Sequence, residues 1–324
     1  MTKAVRIHET GGPEVLRFED FDPGSAGPGQ IRIRHTAVGV NYIDTYHRSG
    51  LYPLALPSGL GLEAAGVVEA VGEAVTRWKT GDRVAYGTGP LGAYSQAAVV
   101  AAERVVAIPA GVSDEAAAAL ILKGLTAWYL LRRTYRVKAG DTILFHAAAG
   151  GVGLLACQWA AHLGATVIGT VGGPAKTALA AKHGCAHVVD YNHENFVRRV
   201  REISCGKGVP VVYDGVGKAT FEGSLDCLAP LGLMVSFGNA SGPPPPVDLL
   251  VLSLRGSLFV TRPTLMHYTA DPADLAEGAA ELFDLVARSA IKVEVHQRFA
   301  LADAAAAHRD LEARKTTGAT VLIP

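Results

Sequence analysis

The sequence predicts an α/β fold in two parts, a small irregular β-barrel domain and a doubly wound parallel sheet. Three observations predict it. The first 120 residues carry β-type runs punctuated by Gly and Pro, in place of βαβ units. From residue 142 onward, apolar strand-like runs alternate with helical runs, which implies parallel crossovers. Near the middle of the 324 residues, a side-chain-poor stretch, Ala147-Ala-Ala-Gly-Gly-Val-Gly153, joins a strand directly to a helix.

In order along the chain, strands are expected at 4–8, 30–40, 65–71, 83–86 and 99–108. Residues 113–133 turn helical, with Ser113 and Asp114 as the cap. A strand at 142–146 precedes a helix at 152–163, and a strand at 166–170 precedes a helix at 176–183. Further strands fall at 187–189, 209–213, 233–237 and 257–260, with helices at 194–203 and 220–228. Gly242 and the four prolines after it read as a rigid surface loop rather than a recognition motif. Helices at 272–289 and 302–313 and a closing strand at 319–323 complete the chain, which has no internal repeat.

The central loop carries the first chemical signal. Small residues between strand and helix let a backbone approach a pyrophosphate, and the helix N-terminus offers N–H groups and a positive dipole end. Two registers fit a dinucleotide fingerprint: Ala148-x-Gly150-x-x-Gly153 and Gly151-x-Gly153-x-x-Ala156. Sequence alone leaves both open. The bland alternative is a tight βα turn. In NAD-preferring folds, an acid ends the second strand and binds the ribose 2′-hydroxyl. Here the strand at 166–170 ends without one, and Gly172, Gly173 and the cationic Lys176 follow. This favours NADPH. Gly215, Phe237, Gly238 and Asn239 follow other strand ends facing the same crevice.

Composition narrows the class. Hydrophobic residues make up 49% and charged residues 19%, with 30 basic and 30 acidic side chains interspersed. That argues against a nucleic-acid or anionic-membrane role. No apolar run reaches spanning length, the N-terminus has no signal-peptide core, and four cysteines stand far apart, so a reducing cytoplasm is expected. A loop this far along the chain, with no Tyr-x-x-x-Lys pair, does not suit a short-chain dehydrogenase.

Gly61-Leu-Glu-Ala-Ala-Gly66, continuing through Gly72 and Val75 to Gly81-Asp-Arg-Val84, resembles the signature of the medium-chain dehydrogenase/reductase superfamily. Zinc alcohol dehydrogenases place a zinc-binding His at the position of Leu62 and a zinc-binding Cys near Asn41. Leucine ligates no metal and asparagine is a poor zinc ligand. Residues 85–110 hold no cysteine, so the structural zinc lobe is missing as well, and no metal is expected. Gly39-Val-Asn-Tyr-Ile-Asp44, continuing to Pro53, together with Lys123-Gly-Leu-Thr-Ala127, Ser236-Phe-Gly-Asn-Ala240 and Gly256 to Pro263, resembles the zinc-free NADPH quinone oxidoreductases.

The resemblance implies a GroES-like domain (1–122 with 265–324) and a Rossmann domain (123–264). It implies that Asn41, Asp44, Tyr46 and Tyr52 surround the nicotinamide and a quinone acceptor; the bland reading makes the tyrosines ordinary barrel residues. Cofactor contacts are expected at Asn41, Thr126, Ala149, Gly150, Gly151, Val152, Gly153, Gly172, Gly173, Lys176, Tyr191, Gly215, Phe237, Gly238 and Asn239. Phe259, Arg262 and Arg314 join them from resemblance alone. It also implies a homodimer paired through the strand at 257–260. Hydride addition to a quinone gives an anion that the ring delocalises, so the chemistry needs no Lewis acid. A 2-alkenal or enone acceptor spreads charge similarly and is the alternative, followed by a non-catalytic crystallin-like or RNA-binding role.

Overall fold

The computed structural model of the chain describes residues 1–324. The first part of the chain forms β1 (Thr2–Ile7), β2 (Arg17–Phe21), β3 (Gln30–Val40), α1 (Tyr42–Ser49), β4 (Ser58–Gly59) and β5 (Ala64–Val71). It continues through β6 (Arg83–Tyr86), β7 (Ala97–Ala101), β8 (Val106–Ala107) and α2 (Asp114–Trp128), which runs into a π-helical turn at Tyr129–Thr134. Next come β9 (Thr142–Phe145), α3 (Gly151–His162), β10 (Thr166–Val171), α4 (Pro174–Lys182), β11 (Cys185–Asp190) and α5 (Phe196–Ile203). After them lie β12 (Val209–Asp214), α6 (Phe221–Cys227), β13 (Leu228–Ser236), α7 (Leu250–Leu254), β14 (Phe259–Thr261) and α8 (Leu265–Tyr268). The chain closes with α9 (Pro272–Ala287), β15 (Val295–Ala300), α10 (Ala304–Glu312) and β16 (Ala319–Ile323).

Two compact units result. One comprises Met1–Leu125, Thr269–Arg288 and Val293–Pro324; the other comprises Thr126–Tyr268 and Ser289–Lys292. The expected division gave 265–268 and 289–292 to the first unit and 123–125 to the second, and physical contacts explain the last two differences. The Gln158 amide on α3 pairs with the Lys292 backbone in both directions, at 2.9 and 3.1 Å, which binds that short segment to the nucleotide unit. Lys123 is tied by an ion pair to Glu63 in the first unit.

The first unit is GroES-like. Its seven-stranded sheet has the order β15-β16-β3-β5-β6-β8, with β7 also paired to β3, and a three-stranded sheet has the order β2-β1-β4. Alternation along β3 buries Ile31, Ile33 and Val38, which pack with Val5, Ile7, Val68, Val84 and Leu322 in one core. The expected strand 99–108 is broken by a 3-10 turn at Ala102–Arg104. Trp78 Nε1 donates to the Ala102 carbonyl at 2.8 Å and holds that turn.

The second unit is a six-stranded, all-parallel sheet in the order β11-β10-β9-β12-β13-β14. Counted from β9 this is the 3-2-1-4-5-6 order of the Rossmann fold, whose strand order reverses between β9 and β12. Its central strands are buried on both faces, as those of parallel sheets are, and the core packs Leu144, Ile168, Val189 and Val212. No helix of the chain is long and apolar enough to cross a membrane.

Candidate active site

The nucleotide loop resolves the two registers left open above. Gly150 is the N-cap of α3 in extended conformation. A Cβ on Gly153 would lie 2.8 Å from both Cα and C of Ala148, so Gly153 is the residue that lets the helix pack onto the strand end. This selects Ala148-x-Gly150-x-x-Gly153. The tight turn itself falls on Ala147, whose φ of 53° is left-handed, a conformation that costs alanine about 1 kcal/mol. Gly150 N–H donates to the Ala147 carbonyl at 2.9 Å, and Ala148 N–H to the Thr170 carbonyl at 3.0 Å.

Beneath this loop lies a buried polar network that sequence reasoning missed. His146 places Nδ1 2.8 Å from Thr170 Oγ1 and Nε2 3.0 Å from Ser224 Oγ. Ser224 and Thr220 donate to Asp214 Oδ2 at 2.9 and 2.7 Å, while Asp214 Oδ1 accepts from the N–H groups of Val216 and Gly217. Burial holds the His146 pKa down, against the pull of Asp214. The network ties the C-terminal ends of β9, β10 and β12 to α6.

At the end of β10, Gly173 has a φ of 104° and N-caps α4, with Pro174 opening the helix and Lys176 in its first turn. The Tyr191 ring lies over Gly172, since a Cβ there would meet its Oη at 2.5 Å. No acid ends β10 itself, but Asp190 at the end of β11 reaches the same corner. Its Oδ1 accepts from Gly173 N–H and Asn192 N–H, each at 3.1 Å. Gly215 packs under the Phe237 ring, where a Cβ would be 3.0 Å from Cζ, and Gly238 packs against Gly215. Arg262 Nη1 donates to the Ser236 and Gly238 carbonyls at 3.1 and 3.0 Å, so this guanidinium clamps the turn carrying Phe237 and Gly238. The amide of Asn239 satisfies its surroundings with nitrogen toward the Gly238 carbonyl and oxygen toward Arg262. Thr126 is buried. Ala149, Gly151 and Val152 complete the loop and the first turn of α3. Phe259 stands on the edge strand β14, 59% exposed. Arg314 lies in the first unit, exposed, with a φ of 57° just after α10.

In the first unit, Asn41 N-caps α1, and Asp44 Oδ2 accepts its backbone N–H at 2.8 Å. Tyr94 Oη donates to the same Asp44 oxygen at 2.9 Å, and Asp44 Oδ1 is buried with no partner. Burial raises the Asp44 pKa from 3.8 to about 7. Behind Tyr94, His308 Nε2 lies 3.0 Å from Oη and Nδ1 lies 3.1 Å from Arg48 Nη1. Burial and the Arg48 charge push His308 down to about 3, so it is neutral there. Arg48 donates to Glu312 through both Nη atoms, at 3.0 and 2.6 Å. Tyr46 packs edge-on against Tyr52, ring centroids 5.2 Å apart, and Tyr42 and His47 extend this aromatic group.

Next to Leu62 the structure places an arrangement that the sequence did not announce. Glu63 Oε2 accepts from Asn41 Nδ2 at 2.8 Å and is paired with Lys123 Nζ at 2.7 Å, while Oε1 accepts from Leu122 N–H at 2.7 Å. A metal ion needs open lone pairs from several ligands. Here the side chain of Leu62 supplies none, Asn41 offers Glu63 its nitrogen, and an ammonium already meets the carboxylate. These residues do not fit zinc.

The chain matches two family models, an alcohol dehydrogenase GroES-like domain over residues 27–110 and a zinc-binding dehydrogenase over residues 151–282. It is 59% identical to a quinone oxidoreductase of Pseudomonas aeruginosa, covering all of both chains. It superimposes with a TM-score of 0.98 on Escherichia coli quinone oxidoreductase complexed with NADPH, at 51% identity and covering 99% of this chain and 100% of that one. It is also 47% identical to a 2-haloacrylate reductase of a Burkholderia species, over 100% of this chain and 99% of that one.

Proposed function

The chain belongs to the quinone oxidoreductases of the medium-chain dehydrogenase/reductase superfamily, and we propose on that premise that it is an NADPH:quinone reductase working without a catalytic metal. The observation that carries the metal-free reading is the closed set around Glu63, where Asn41, Leu122 and Lys123 satisfy the carboxylate beside Leu62.

The nucleotide unit fits NADPH. The loop Ala149–Gly153 and the N-terminus of α3 suit a pyrophosphate, and Gly153 lets that helix pack close onto the strand end. Lys176 and Tyr191, flanking Gly172 and Gly173, suit a 2′-phosphate. Asp190 does not oppose that role strongly, because two backbone N–H groups already stabilise its Oδ1. Gly215, Phe237, Gly238, Asn239 and Thr126 are assigned to the rest of the cofactor, with Arg262 acting through the turn it clamps. When bound, NADPH supplies the hydride.

The chain's own task is then to orient both reactants and exclude water. Asn41, Asp44, Tyr46 and Tyr52 are assigned to the acceptor side. Asp44, whose pKa burial raises to about 7, accepts the Asn41 backbone N–H. We also assign residues 1–122 with 265–324 to acceptor binding and 123–264 to the cofactor. A homodimer is supported by the edge strand β14, which exposes Phe259 and Val260 beside an unpaired sheet edge, and by the exposed side chains of Leu231, Leu249, Leu250 and Leu254. Four unpaired thiols favour a reducing cytoplasm.

A second reading, reduction of an α,β-unsaturated acid or aldehyde, is favoured by the 2-haloacrylate reductase relative. NADPH oxidation measured with 1,4-benzoquinone, an ortho-quinone, a short 2-alkenal and 2-chloroacrylate separates the two. Faster turnover of both quinones supports the leading reading, and faster turnover of the alkenal or the acrylate replaces it. Tight NADPH binding with no turnover of any acceptor refutes both.

A further inference from the structure

Glu63 is fully buried, and Lys123 and Asn41 are nearly so, at 5% and 6% exposure. The carboxylate meets three donors drawn from two places far apart in the sequence: the side-chain nitrogen of Asn41 before α1, and the backbone N–H of Leu122 and ammonium of Lys123 in α2. The approach is close by construction. Gly39, at the end of β3, sits where any Cβ would run into the Glu63 carboxylate and the Ala118 carbonyl. Its lack of a side chain admits Glu63 between β3 and α2.

This geometry dictates the polarity of Asn41. An ionised carboxylate accepts and never donates. The group that Asn41 turns toward Glu63 must therefore be its –NH2, which fixes its carbonyl oxygen at the opposite end of the planar amide. Lys123 supports that choice, because its ammonium supplies the counter-charge that a buried carboxylate needs. We propose that Glu63, clamped by Lys123, is a positioning residue that fixes the orientation of the Asn41 carboxamide for hydride transfer. This rests on the reading of Asn41 as a site residue. The fixed internal cation thus organises the place where zinc relatives hold a metal, and it does so through a neutral amide.

A Glu63→Gln variant puts one acceptor oxygen in front of three donors, so the Asn41 amide loses its charged acceptor and keeps only the Asp44 N–H of the capping box and a long 3.5 Å contact to the Gly39 carbonyl. The test is a double-mutant cycle of Asn41→Ala, Glu63→Gln and the pair together. It reads kcat with 1,4-benzoquinone and the NADPH Kd from quenching of protein fluorescence. Glu63→Gln is expected to lower kcat ten- to a hundredfold while the NADPH Kd moves less than threefold. In the Asn41→Ala background the same substitution is expected to change kcat less than threefold, since its target is gone. Losses that multiply across the cycle would show that Glu63 acts independently of Asn41 and would overturn the proposal. A wild-type kcat for Asn41→Ala alone is a different pattern, which removes Asn41 from the site and the proposal with it. Should Glu63→Gln fail to fold, the charge-balanced Glu63→Gln/Lys123→Met combination takes its place in the same cycle with the same expectations.

Discussion

Asp44→Asn tests whether a buried carboxyl in this site is held protonated by its surroundings. The side chain is fully buried, with Asn41 N–H and Tyr94 Oη on Oδ2 and nothing on Oδ1. Burial is the largest influence and raises the pKa; the two hydrogen bonds and Lys123 pull it down, and Glu63 adds to the rise, for a net value of about 7 against an ordinary 3.8. The folded state therefore keeps a proton that the unfolded chain has already lost. The stability this contributes is complete below pH 3.8 and is lost as pH rises to about 7. A rise of about three units corresponds to about 4 kcal/mol. Asparagine has nearly the shape of the protonated acid and cannot ionise, so the variant reports the low-pH condition at every pH. Urea unfolding followed by tryptophan fluorescence, at half-unit steps from about pH 4.5 to about pH 8, gives the difference between the two proteins. The native protein is expected to lose about 3–4 kcal/mol relative to the variant across that range. Parallel profiles, or a native protein that gains on the variant with rising pH, refute the reasoning.

Three further outcomes follow from the geometry. Lys176→Ala is expected to weaken NADPH binding about ten- to thirtyfold, the size of one lost charge-assisted hydrogen bond, and NADH binding far less; calorimetry showing equal losses would remove Lys176 from the 2′-phosphate. Gly153→Ala forces a methyl group to 2.8 Å from the Ala148 backbone. It should cost about 1–3 kcal/mol and lower NADPH affinity tenfold or more, and an unchanged Kd would mean that the loop does not hold the pyrophosphate. Phe259→Lys with Val260→Lys places charge on the β14 edge, and light scattering should then give a monomer mass; a retained dimer mass refutes pairing through that edge.

Much of the nucleotide unit was legible because its signals are local. Each strand from β9 to β13 is a short apolar run beside a helical period, and the glycines at 150 and 153 mark the loop. The first unit was harder to read. The helix α1 carries aromatic and β-branched residues over only eight positions, and its periodicity is drowned out. Asn41 three residues before Asp44 and Gly50 as the left-handed stop were the available signs. The strand β15 alternates half-buried and exposed residues, among them His296 and Arg298, and lies at a sheet edge, so it reads as a polar segment. The site was legible where motifs are contiguous and obscure where they are assembled by folding. Glu63 and Lys123 meet across sixty positions, Asp44 meets Tyr94 across fifty, and Tyr94 meets His308 across 214. Asp190 escaped notice because an acid was sought at the end of β10, and it arrives from β11.

The placement of β16 has a consequence for how the protein is made. Val40, one residue before Asn41, pairs with Thr320, and β16 fills the gap between β15 and β3. During synthesis the strand leading into Asn41 pairs early with β5 and β7, but its other edge waits for β16, which is translated only after the whole nucleotide-unit sheet. The sheet of the nucleotide unit is encoded without interruption from β9 to β14 and can close while that earlier sheet is still open. The usual order of domain maturation is thereby inverted. A stop codon placed before β16 would leave the long parallel sheet complete while removing the strand that supports Val40 beside Asn41.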